Sequence, residues 1–415
     1  MDDRRPPLGL SAAQQVGRKH WSAQSGTLHK MTIVDGSATA TSVVHCYRTY
    51  FPDPQGGAQE AIRQIALATN KHGVQNKIFS LSLHPTPQII IRPEGTVTRT
   101  RSWISPASCD LGWIDSLLQF SELARTSSLV HYHFPWPFAD VLHWWAESAS
   151  PALLTYHSDI VRQRLLGSLY EPLMWRMLLS MKAIVATSPA YANTSPVLSH
   201  SSIRDKVHVI PLGIDESTYP KVGDSSIFAR IGIPKEEPYF LFVGVLRYYK
   251  GLSFLVHAAT HVKATVVIAG SGPEAEGLKK LAKEIGARNV VFAGQVSDLE
   301  KISLIQGCAA LILPSHLRSE AFGMVLVEAA MFGKPIISCE IGTGTSYVNL
   351  HGETGFVVMP QSPAALAAAM QELLGNERLG ENMGSAARKR YELLFSGPAL
   401  GLAYSDLYKK LLSND

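Results

Sequence analysis

The chain has 415 residues and a formal net charge of +4, with 46% hydrophobic and 17% charged residues. This length provides for two hydrophobic cores, and no run of about 18 uncharged apolar residues marks a membrane span. Residues 1–30 hold five Lys or Arg against two Asp, so the basic excess is concentrated there. We expect a disordered leader without a secretory signal. The rest carries no basic patch of the kind that binds nucleic acid.

The sequence contains no recognisable motif for a metal site or a disulfide framework. The four cysteines are scattered, and no His or Cys cluster has the spacing of a zinc site. Isolated thiols of this kind indicate burial in a reducing compartment. We therefore expect a cytoplasmic protein that holds no metal.

The first predicted strand, residues 41–47, leads into a glycine loop. Gly56 and Gly57 follow it, and residues 58–68 have helical spacing. A strand, a Gly-Gly loop and a helix present bare backbone N–H groups to an anion. Most Gly-Gly pairs are simple turns, so the pattern allows both interpretations.

Further apolar runs continue the alternation of strands and helices. Strands are predicted at 78–82, 89–91, 129–134, 153–157 and 183–188, and a helix is predicted over 114–124. His157 lies at the carboxyl end of the fourth of these strands. A lone histidine at a strand end is usually structural, so a role in a binding site needs further support. For His131 and His133, a role in the binding site and simple aromatic packing are equal alternatives.

Residues 160–182 are richer in apolar side chains than one core face requires. Trp175 and Leu178 are among them, and Arg and Lys residues flank the segment. Such a pattern is typical of a segment that lies on an anionic membrane surface. Two helices buried between the sheet and a neighbouring element explain it equally well.

The middle of the chain indicates a domain boundary. Residues 207–215 end a last strand of the first half, and the polar, Gly- and Pro-containing residues that follow suit a linker. We predict a first domain over 31–215, a second over 216–394, and a last segment over 395–415 that is helical.

The second half opens with a strand and a cationic loop. Residues 239–246 form an apolar run through Gly244, and Arg247 and Lys250 follow. A pair of cations at the carboxyl end of a strand is poorly explained by packing and well explained by a diphosphate. The next strand ends in a loop with Gly272, which by itself is a weak phosphate motif.

Two glutamates flank the start of an apolar helix. Residues 309–313 predict a buried strand, and residues 322–332 predict a helix that ends before Gly333. Glu320 and Glu328 are separated by at most about 12 Å along such a helix. Free backbone N–H groups near Phe322, Gly323 and Met324 form an anion site between them. The alternative is that Glu320 caps the helix and Glu328 points to solvent.

The string from Glu320 to Glu328, two glutamates separated by AFGMVLV, resembles the signature of the family 4 retaining glycosyltransferases. The resemblance implies the GT-B fold, an α/β architecture of two Rossmann-like domains facing across a cleft, with the C-terminal helix returning to the N-terminal domain. It implies that Glu320 holds sugar hydroxyls, that Glu328 holds the ribose, and that His157 lies near the donor sugar. His157, Glu320, Lys250 and Arg247 are the expected catalytic residues.

The resemblance also implies a set of residues that bind the donor nucleotide-sugar. They are Gly56, Gly57, Gly244, Arg247, Lys250, Gly272, Glu320, Ala321, Phe322, Gly323, Met324, Val325 and Glu328. One position departs from the family pattern. Val245 stands where relatives have arginine, and Arg247 follows two residues later. Side chains two apart on a strand share a face, so Arg247 is expected to reach the same phosphates.

The strings YRTYFPDPQGG and VGVLRYYKG are similar to those of bacterial mannosyl- and rhamnosyltransferases of O-antigen and other surface polysaccharides. This implies a GDP-linked donor, a lipid-linked oligosaccharide acceptor, and peripheral contact with the cytoplasmic face of the inner membrane. No cofactor or metal is expected. The alternatives are a UDP-hexose or UDP-N-acetylhexosamine transferase, a sugar-phosphate epimerase or phosphorylase of similar fold, and a non-catalytic nucleotide-binding scaffold.

Overall fold

The computed structural model describes residues 41–53, 56–105, 109–160, 164–234 and 237–413. The predicted leader, residues 1–30, lies outside this range. The strands are β1 (Ser42–Cys46), β2 (Gln75–Ser82), β3 (Ile89–Arg92), β4 (Gly95–Arg101), β5 (Leu129–Phe134), β6 (Ala152–Tyr156), β7 (Ala183–Ala186), β8 (Val207–Val209), β9 (Tyr239–Val243), β10 (Thr265–Ala269), β11 (Val290–Gly294), β12 (Ala310–Leu313), β13 (Ile336–Cys339) and β14 (Gly355–Val358).

Helices connect these strands. They are α1 (Gly57–Asn70), α2 (Ile114–Arg125), α3 (Pro137–Ala146), α4 (Arg164–Ser180), α5 (Pro189–Thr194), α6 (Ser226–Ile231), α7 (Leu252–Ala259), α8 (Ala275–Glu284), α9 (Asp298–Gly307), α10 (Met324–Met331), α11 (Thr345–Val348), α12 (Pro363–Gly375), α13 (Glu377–Arg390) and α14 (Gly397–Ser413). Among the described residues, none of them combines the length and apolarity that crossing a membrane requires.

The strands form two sheets, one in each half of the chain. The first has the order β3-β4-β2-β1-β5-β6-β7-β8, and the second has the order β11-β10-β9-β12-β13-β14. Neighbouring strands are parallel except for β3 and β4, which form an antiparallel edge. Parallel sheets are covered by helices on both faces, so their strands are apolar throughout. Residues 239–242 of β9, for example, are all fully buried.

The last helix packs on the first domain. Leu400, Tyr404 and Tyr408 of α14 share one core cluster with Val43 of β1 and Ile65 of α1. The chain thus crosses from the first sheet to the second and returns. Together with the two parallel sheets, this confirms the α/β fold expected from the sequence.

The two crossings run side by side. The Ile214 N–H donates a 2.8 Å hydrogen bond to the Phe395 carbonyl. A side chain at Gly213 would place its Cβ 2.6 Å from the same oxygen, so glycine is required for this close approach. The backbone contact joins the outgoing and returning segments where the chain passes between the two sheets.

The structure corrects several boundaries. The helix predicted from Phe322 begins at Met324, because Gly323 takes a left-handed φ of 85° and cannot continue a helix. The last helix begins at Gly397, two residues after the predicted start of the last segment at residue 395. Strand β4 was not predicted, since its alternating Thr and Arg side chains do not form an apolar run.

Part of the segment at residues 160–182 belongs to the core, which is the second of the two interpretations that the sequence allows for it. Met177 and Leu178 of α4 are buried against the first sheet, and Leu178 is fully inaccessible to solvent. Leu178 therefore does not face a membrane surface, and membrane contact by the other described residues of this segment stays a prediction. Trp175 is half-buried, and Leu179 is exposed.

Candidate active site

The strand order of the second sheet determines where a ligand can bind. Strand β9 lies between β10 and β12. The chain therefore continues from β9 to a strand on one side, β10, and from β12 to a strand on the other side, β13. Crevices at such a switch point, beyond the carboxyl ends of parallel strands, are the usual binding sites of open α/β sheets. The loop after β9 carries Lys250, and the loop after β12 carries Glu320.

Lys250 and Glu320 form an ion pair at this switch point. The Lys250 Nζ donates a hydrogen bond to Oε2 of Glu320, which also accepts one of 3.2 Å from the Ser315 hydroxyl. Burial by itself would lower the pKa of Lys250, but the Glu320 carboxylate and Tyr249 together outweigh it and the pKa is raised. The lysine therefore carries a full positive charge, and the structure brings together two of the predicted catalytic residues.

Arg247 adds a second cation beside this pair. It is exposed, as is Val245, while Leu246 between them is buried. Val245 and Arg247 thus share a face, as the sequence predicts. The positive charge of Arg247 opposes the rise in the pKa of Lys250.

The start of α10 presents backbone N–H groups near this loop. The Leu326 N–H donates a 2.9 Å hydrogen bond to the Gly323 carbonyl. The N–H groups before Leu326 therefore have no partner within the helix. Gly323 fits because its position is left-handed and because a Cβ there would lie 2.8 Å from Leu313. The side chains of Ala321 and Phe322 are buried, so these residues offer a ligand their backbone groups. Met324 and Val325 are half-buried.

Glu328 is buried within α10 and does not point to bulk solvent. Its Oε1 accepts hydrogen bonds from the Tyr219 hydroxyl at 2.6 Å and from the Lys301 Nζ at 2.7 Å. Glu60, near the start of α1 in the first domain, has its pKa raised mainly by burial and also by the charge of Glu328. Glu328 therefore lies close to the surface where the two domains meet. Its predicted contact with a ribose stays a prediction.

The glycines of the first domain stand at the exposed start of α1. The Gly56 N–H donates a 3.0 Å hydrogen bond to Oε1 of Gln59, and a Cβ on Gly57 would meet no atom within 4 Å. Strand β1 lies between β2 and β5, so this loop is also at a switch point. The open space in front of Gly57 leaves its backbone accessible.

Gly270 and Gly272 have packing roles in the second domain, where Gly270 meets the backbone of Gly244. A Cβ on Gly272 would lie 2.5 Å from the Leu246 carbonyl oxygen, and one on Gly270 would lie 2.0 Å from the Gly244 oxygen. The loops after β9 and β10 therefore touch backbone to backbone. This explains the glycines at 270 and 272 without a ligand, and phosphate binding by Gly244 and Gly272 stays a prediction.

His157 follows β6 and is joined to a row of other histidines. Its Nε2 lies 2.9 Å from Nδ1 of His133, and burial lowers its pKa to about 4. His157 is therefore neutral at pH 7. The ring nitrogens of His45, His131 and His133 lie within 4.8 Å of one another, which is close enough to hold a metal ion.

The nitrogens of that histidine cluster are already hydrogen-bonded within the protein. His45 bonds to His133 and Asn76, at 3.0 and 2.9 Å. His131 bonds to the hydroxyls of Tyr408 and Thr155, at 2.8 and 2.7 Å. Since His133 bonds to His45 and His157, the described partners account for both nitrogens of each of the three rings. This arrangement favours a hydrogen-bonded network over a metal site.

An interdomain contact beside His157 was missed by the sequence analysis. Arg318, in the loop after β12, contacts Asp159, two residues after His157, with 3.2 Å between Nη2 and Oδ2. Arg318 also donates a 3.0 Å hydrogen bond to the hydroxyl of Thr194 in α5. The sequence offers only a weak signal, an arginine in a polar loop and an aspartate after a histidine. Strand order is needed to place them together.

Comparisons with known proteins agree with this architecture. Residues 55–218 match the family model described as Glycosyltransferase Family 4, and residues 224–390 match the model described as Glycosyl transferases group 1. The chain is 44% identical over 357 residues to D-rhamnosyltransferase WbpZ of Pseudomonas aeruginosa, covering 85% of this chain and 92% of that protein. It is 38% identical over 372 residues to O-antigen chain mannosyltransferase C of Escherichia coli, covering 90% and 99%.

Solved structures share the fold at lower identity. A sucrose-phosphate synthase from Thermosynechococcus elongatus superposes with a TM-score of 0.75 at 22% identity, covering 90% of this chain and all (100%) of that one. Anabaena HepE, solved in complex with UDP and glucose, superposes with a TM-score of 0.71 at 16% identity, covering 89% and 100%.

Proposed function

Because the chain belongs to glycosyltransferase family 4 and has the GT-B fold, we propose that it moves mannose or rhamnose from a GDP-sugar to a lipid-linked oligosaccharide in O-antigen synthesis. The observation that carries the proposal is the Lys250–Glu320 pair, with Arg247 and the start of α10 beside it at the switch point of the second sheet. The names of the two similar bacterial proteins support the choice of sugar and pathway.

The charges at this point suit a diphosphate leaving group. When the bond between the sugar C1 and the β-phosphate oxygen breaks, negative charge develops on that oxygen. Lys250, Arg247 and the N–H groups of residues 322–324 can stabilise it electrostatically, and they do so without a metal ion. A donor phosphate would compete with Glu320 for Lys250, which frees the Glu320 carboxylate to accept hydrogen bonds from the sugar hydroxyls.

The reaction retains the configuration at the anomeric carbon. The acceptor hydroxyl attacks C1 from the face that the diphosphate leaves, and its proton passes to the departing phosphate oxygen. No carboxylate serves as a nucleophile in this proposal. His157 stands beside the donor sugar, and Glu328 contacts the ribose.

A donor screen tests the proposal. Nucleotide release is measured with GDP-mannose, GDP-rhamnose, UDP-glucose and UDP-N-acetylglucosamine, each with and without acceptor lipid, and the anomeric configuration of the product is read by NMR. We expect GDP release that depends on the acceptor and an α-linked product from an α-linked donor. Release from UDP donors alone favours the UDP-dependent alternative. Nucleotide binding without release indicates a scaffold, and no calorimetric heat with GDP or UDP overturns the proposal.

We also propose that the first domain contacts the membrane through exposed apolar side chains on α2 and α3. Trp113, the residue just before α2, and Leu118 within α2 are 63% and 59% exposed, and Trp145 at the end of α3 is 54% exposed. The two helices pack against each other. Tryptophan favours the membrane–water interface, and a lipid-linked acceptor is reached from that surface.

Liposome flotation decides this point. Wild type, a Trp113→Glu/Leu118→Glu variant and a control, Val222→Glu/Leu393→Glu, are mixed with vesicles of phosphatidylethanolamine and phosphatidylglycerol. Val222 and Leu393 are even more exposed, at 78% and 74%, but lie outside α2 and α3. We expect wild type and control to float and the α2 variant to stay in the dense fraction. Equal recovery of all three proteins in the floating vesicle fraction would refute the proposal.

A further inference from the structure

Three histidines and an asparagine form a continuous row of hydrogen bonds across four strands of the first sheet. The row runs from Asn76 on β2 through His45 on β1 and His133 on β5 to His157 after β6. The distances are 2.9 Å from Asn76 Oδ1 to His45 Nε2, 3.0 Å from His45 Nδ1 to His133 Nε2, and 2.9 Å from His133 Nδ1 to His157 Nε2. The predicted sugar-binding histidine is therefore its last member.

The orientation of Asn76 is fixed by its other contacts. Its Nδ2 lies 3.0 Å from the backbone carbonyl of Ala66, and a carbonyl oxygen can only accept a hydrogen bond. The amide nitrogen must therefore face Ala66, where it also contacts Thr69 and Asn70 at 3.1 and 2.8 Å. The amide oxygen, which is an acceptor, faces His45.

Each ring in the row is neutral, so each carries a single N–H. His45 and His133 are buried, with at most 1% of their surface exposed. Burial lowers the pKa of His45 to about 4 and that of His133 well below its ordinary value, and it lowers the pKa of His157 to about 4. A neutral imidazole donates from one nitrogen and accepts at the other.

These constraints place every proton in the row. His45 donates from Nε2 to the Asn76 oxygen, so its Nδ1 accepts from His133 Nε2. His133 Nδ1 then accepts from His157 Nε2. The last ring is left with its proton on Nε2 and a lone pair on Nδ1. Reversal of any bond would set two lone pairs or two protons against each other.

We propose that Asn76, His45 and His133 are positioning residues that hold His157 as its Nε2–H tautomer, so that Nδ1 accepts a hydrogen bond from a hydroxyl of the donor sugar. This rests on the proposed function, which sets His157 beside that sugar. A hydrogen-bonded partner commonly fixes the tautomer and orientation of a functional imidazole. Here the partner is a chain of three residues that ends at an amide oxygen about three strands away, at a strand spacing of about 4.8 Å.

The test joins NMR to kinetics in the full-length protein. Histidine is labelled with nitrogen-15, and the His157 ring signals are assigned by their loss in His157→Gln. We expect wild-type His157 to show a protonated Nε2 and an unprotonated Nδ1. In His133→Phe, which keeps a ring but removes both hydrogen bonds, the His157 signals should average between tautomers. The kcat for transfer should fall on the order of 10- to 100-fold, with a smaller change in donor KM.

Two further variants separate positioning from folding. His133→Gln carries an amide oxygen that can accept from His157 and an amide nitrogen that can donate to His45, so it should restore much of the kcat and the Nε2–H signal. His131→Phe is the matched control, because it removes two buried hydrogen bonds in the same sheet but lies outside the row. It should lower the melting temperature while leaving the His157 tautomer and kcat within about threefold of wild type.

Three results would overturn the inference. They are a protonated Nδ1 on wild-type His157, an unchanged tautomer and kcat in His133→Phe, and a loss in His131→Phe as large as that in His133→Phe. The tautomer is read without turnover. A wild-type protein that transfers no sugar but shows the Nε2–H tautomer would therefore count against the proposed function while supporting the row.

Discussion

Arg318 of the second domain and Asp159 of the first form an ion pair across the cleft, with 3.2 Å between Nη2 and Oδ2. Asp159 is held in place on its own side, where its Oδ1 accepts a 2.6 Å bond from Ser195 and a 3.1 Å bond from Tyr156. Arg318 also donates a 2.8 Å hydrogen bond to the carbonyl of Gly342. The contact therefore joins two ordered loops beside His157.

Replacing Arg318 by alanine should weaken closure of the two domains. The pair is partly exposed, with side-chain exposures of 29% and 14%, so solvent screening reduces its strength. We expect a loss in kcat/KM on the order of tenfold, which corresponds to about 1.4 kcal/mol. Arg230→Ala, which breaks a likewise partly exposed pair with Glu300, is the control. Unchanged kinetics and an unchanged small-angle scattering profile would contradict a role in closure.

Lys250→Ala and Glu320→Ala should each lower turnover by on the order of 10²–10³. The first removes a charge that stabilises the leaving diphosphate, and the second removes the proposed acceptor of the sugar hydroxyls. Each also leaves its partner without the ion pair, so the double variant is needed to separate the two effects. Lys279→Ala, which breaks the exposed pair with Glu276, serves as control. Near-normal rates in both purified single variants would refute the assignment.

The sequence predicts the second sheet well because its strands are apolar without interruption, as in Phe240 and Leu241 of β9. It fails at β4, where Arg99 is 3% exposed although its residue type is usually at the surface. Arg99 can be buried because it bonds to Asp53 at 3.3 Å and to the Pro87 carbonyl at 2.7 Å. Neither partner is adjacent in sequence, so no local pattern indicates this strand.

The same limit applies to the candidate site. Lys250, Glu320 and Glu328 could be selected from the sequence, since a charge in an apolar run or at a strand end is conspicuous. The link between His157 and His45 could not, because it depends on the order of the strands in the sheet. The contact between Lys250 and Glu320 likewise appears only once β9 and β12 are known to be neighbours.

Gly272→Ala should destabilise the second domain because its Cβ would lie 2.5 Å from the Leu246 carbonyl oxygen. The loops after β9 and β10 would have to separate, at a cost of about 1–3 kcal/mol in the free energy of unfolding. Gly277→Ala is the matched control, since Gly277 lies within α8 with nothing within 4 Å. It should stabilise the helix by about 0.5–1 kcal/mol. Urea denaturation of both variants measures this, and equal midpoints would refute the packing argument.

The buried histidines should make the fold less stable in mild acid. Burial lowers the pKa of His45, His143 and His157 to about 4, whereas an unfolded histidine titrates near 6.5. The unfolded chain therefore binds more protons between these two values. The stability that these groups contribute is fully present above about pH 6.5 and is lost as the pH falls toward 4. Each contributes a slope of at most about 1.4 kcal/mol per pH unit.

Asp140 opposes this trend, because burial raises its pKa to about 7. Its contribution is present at low pH and is lost as the pH rises through 7. Glu60 acts in the same direction as Asp140, since burial also raises its pKa. Burial lowers the pKa of His131 and His133 as well, so the buried histidines outnumber these carboxyls and the urea midpoint should fall from pH 7.5 to pH 5. The Asp140→Asn variant should show a steeper fall, since the opposing group is removed, and His143→Gln a shallower one. A midpoint that rises toward pH 5 would contradict this prediction, because the buried carboxyls would then outweigh the histidines.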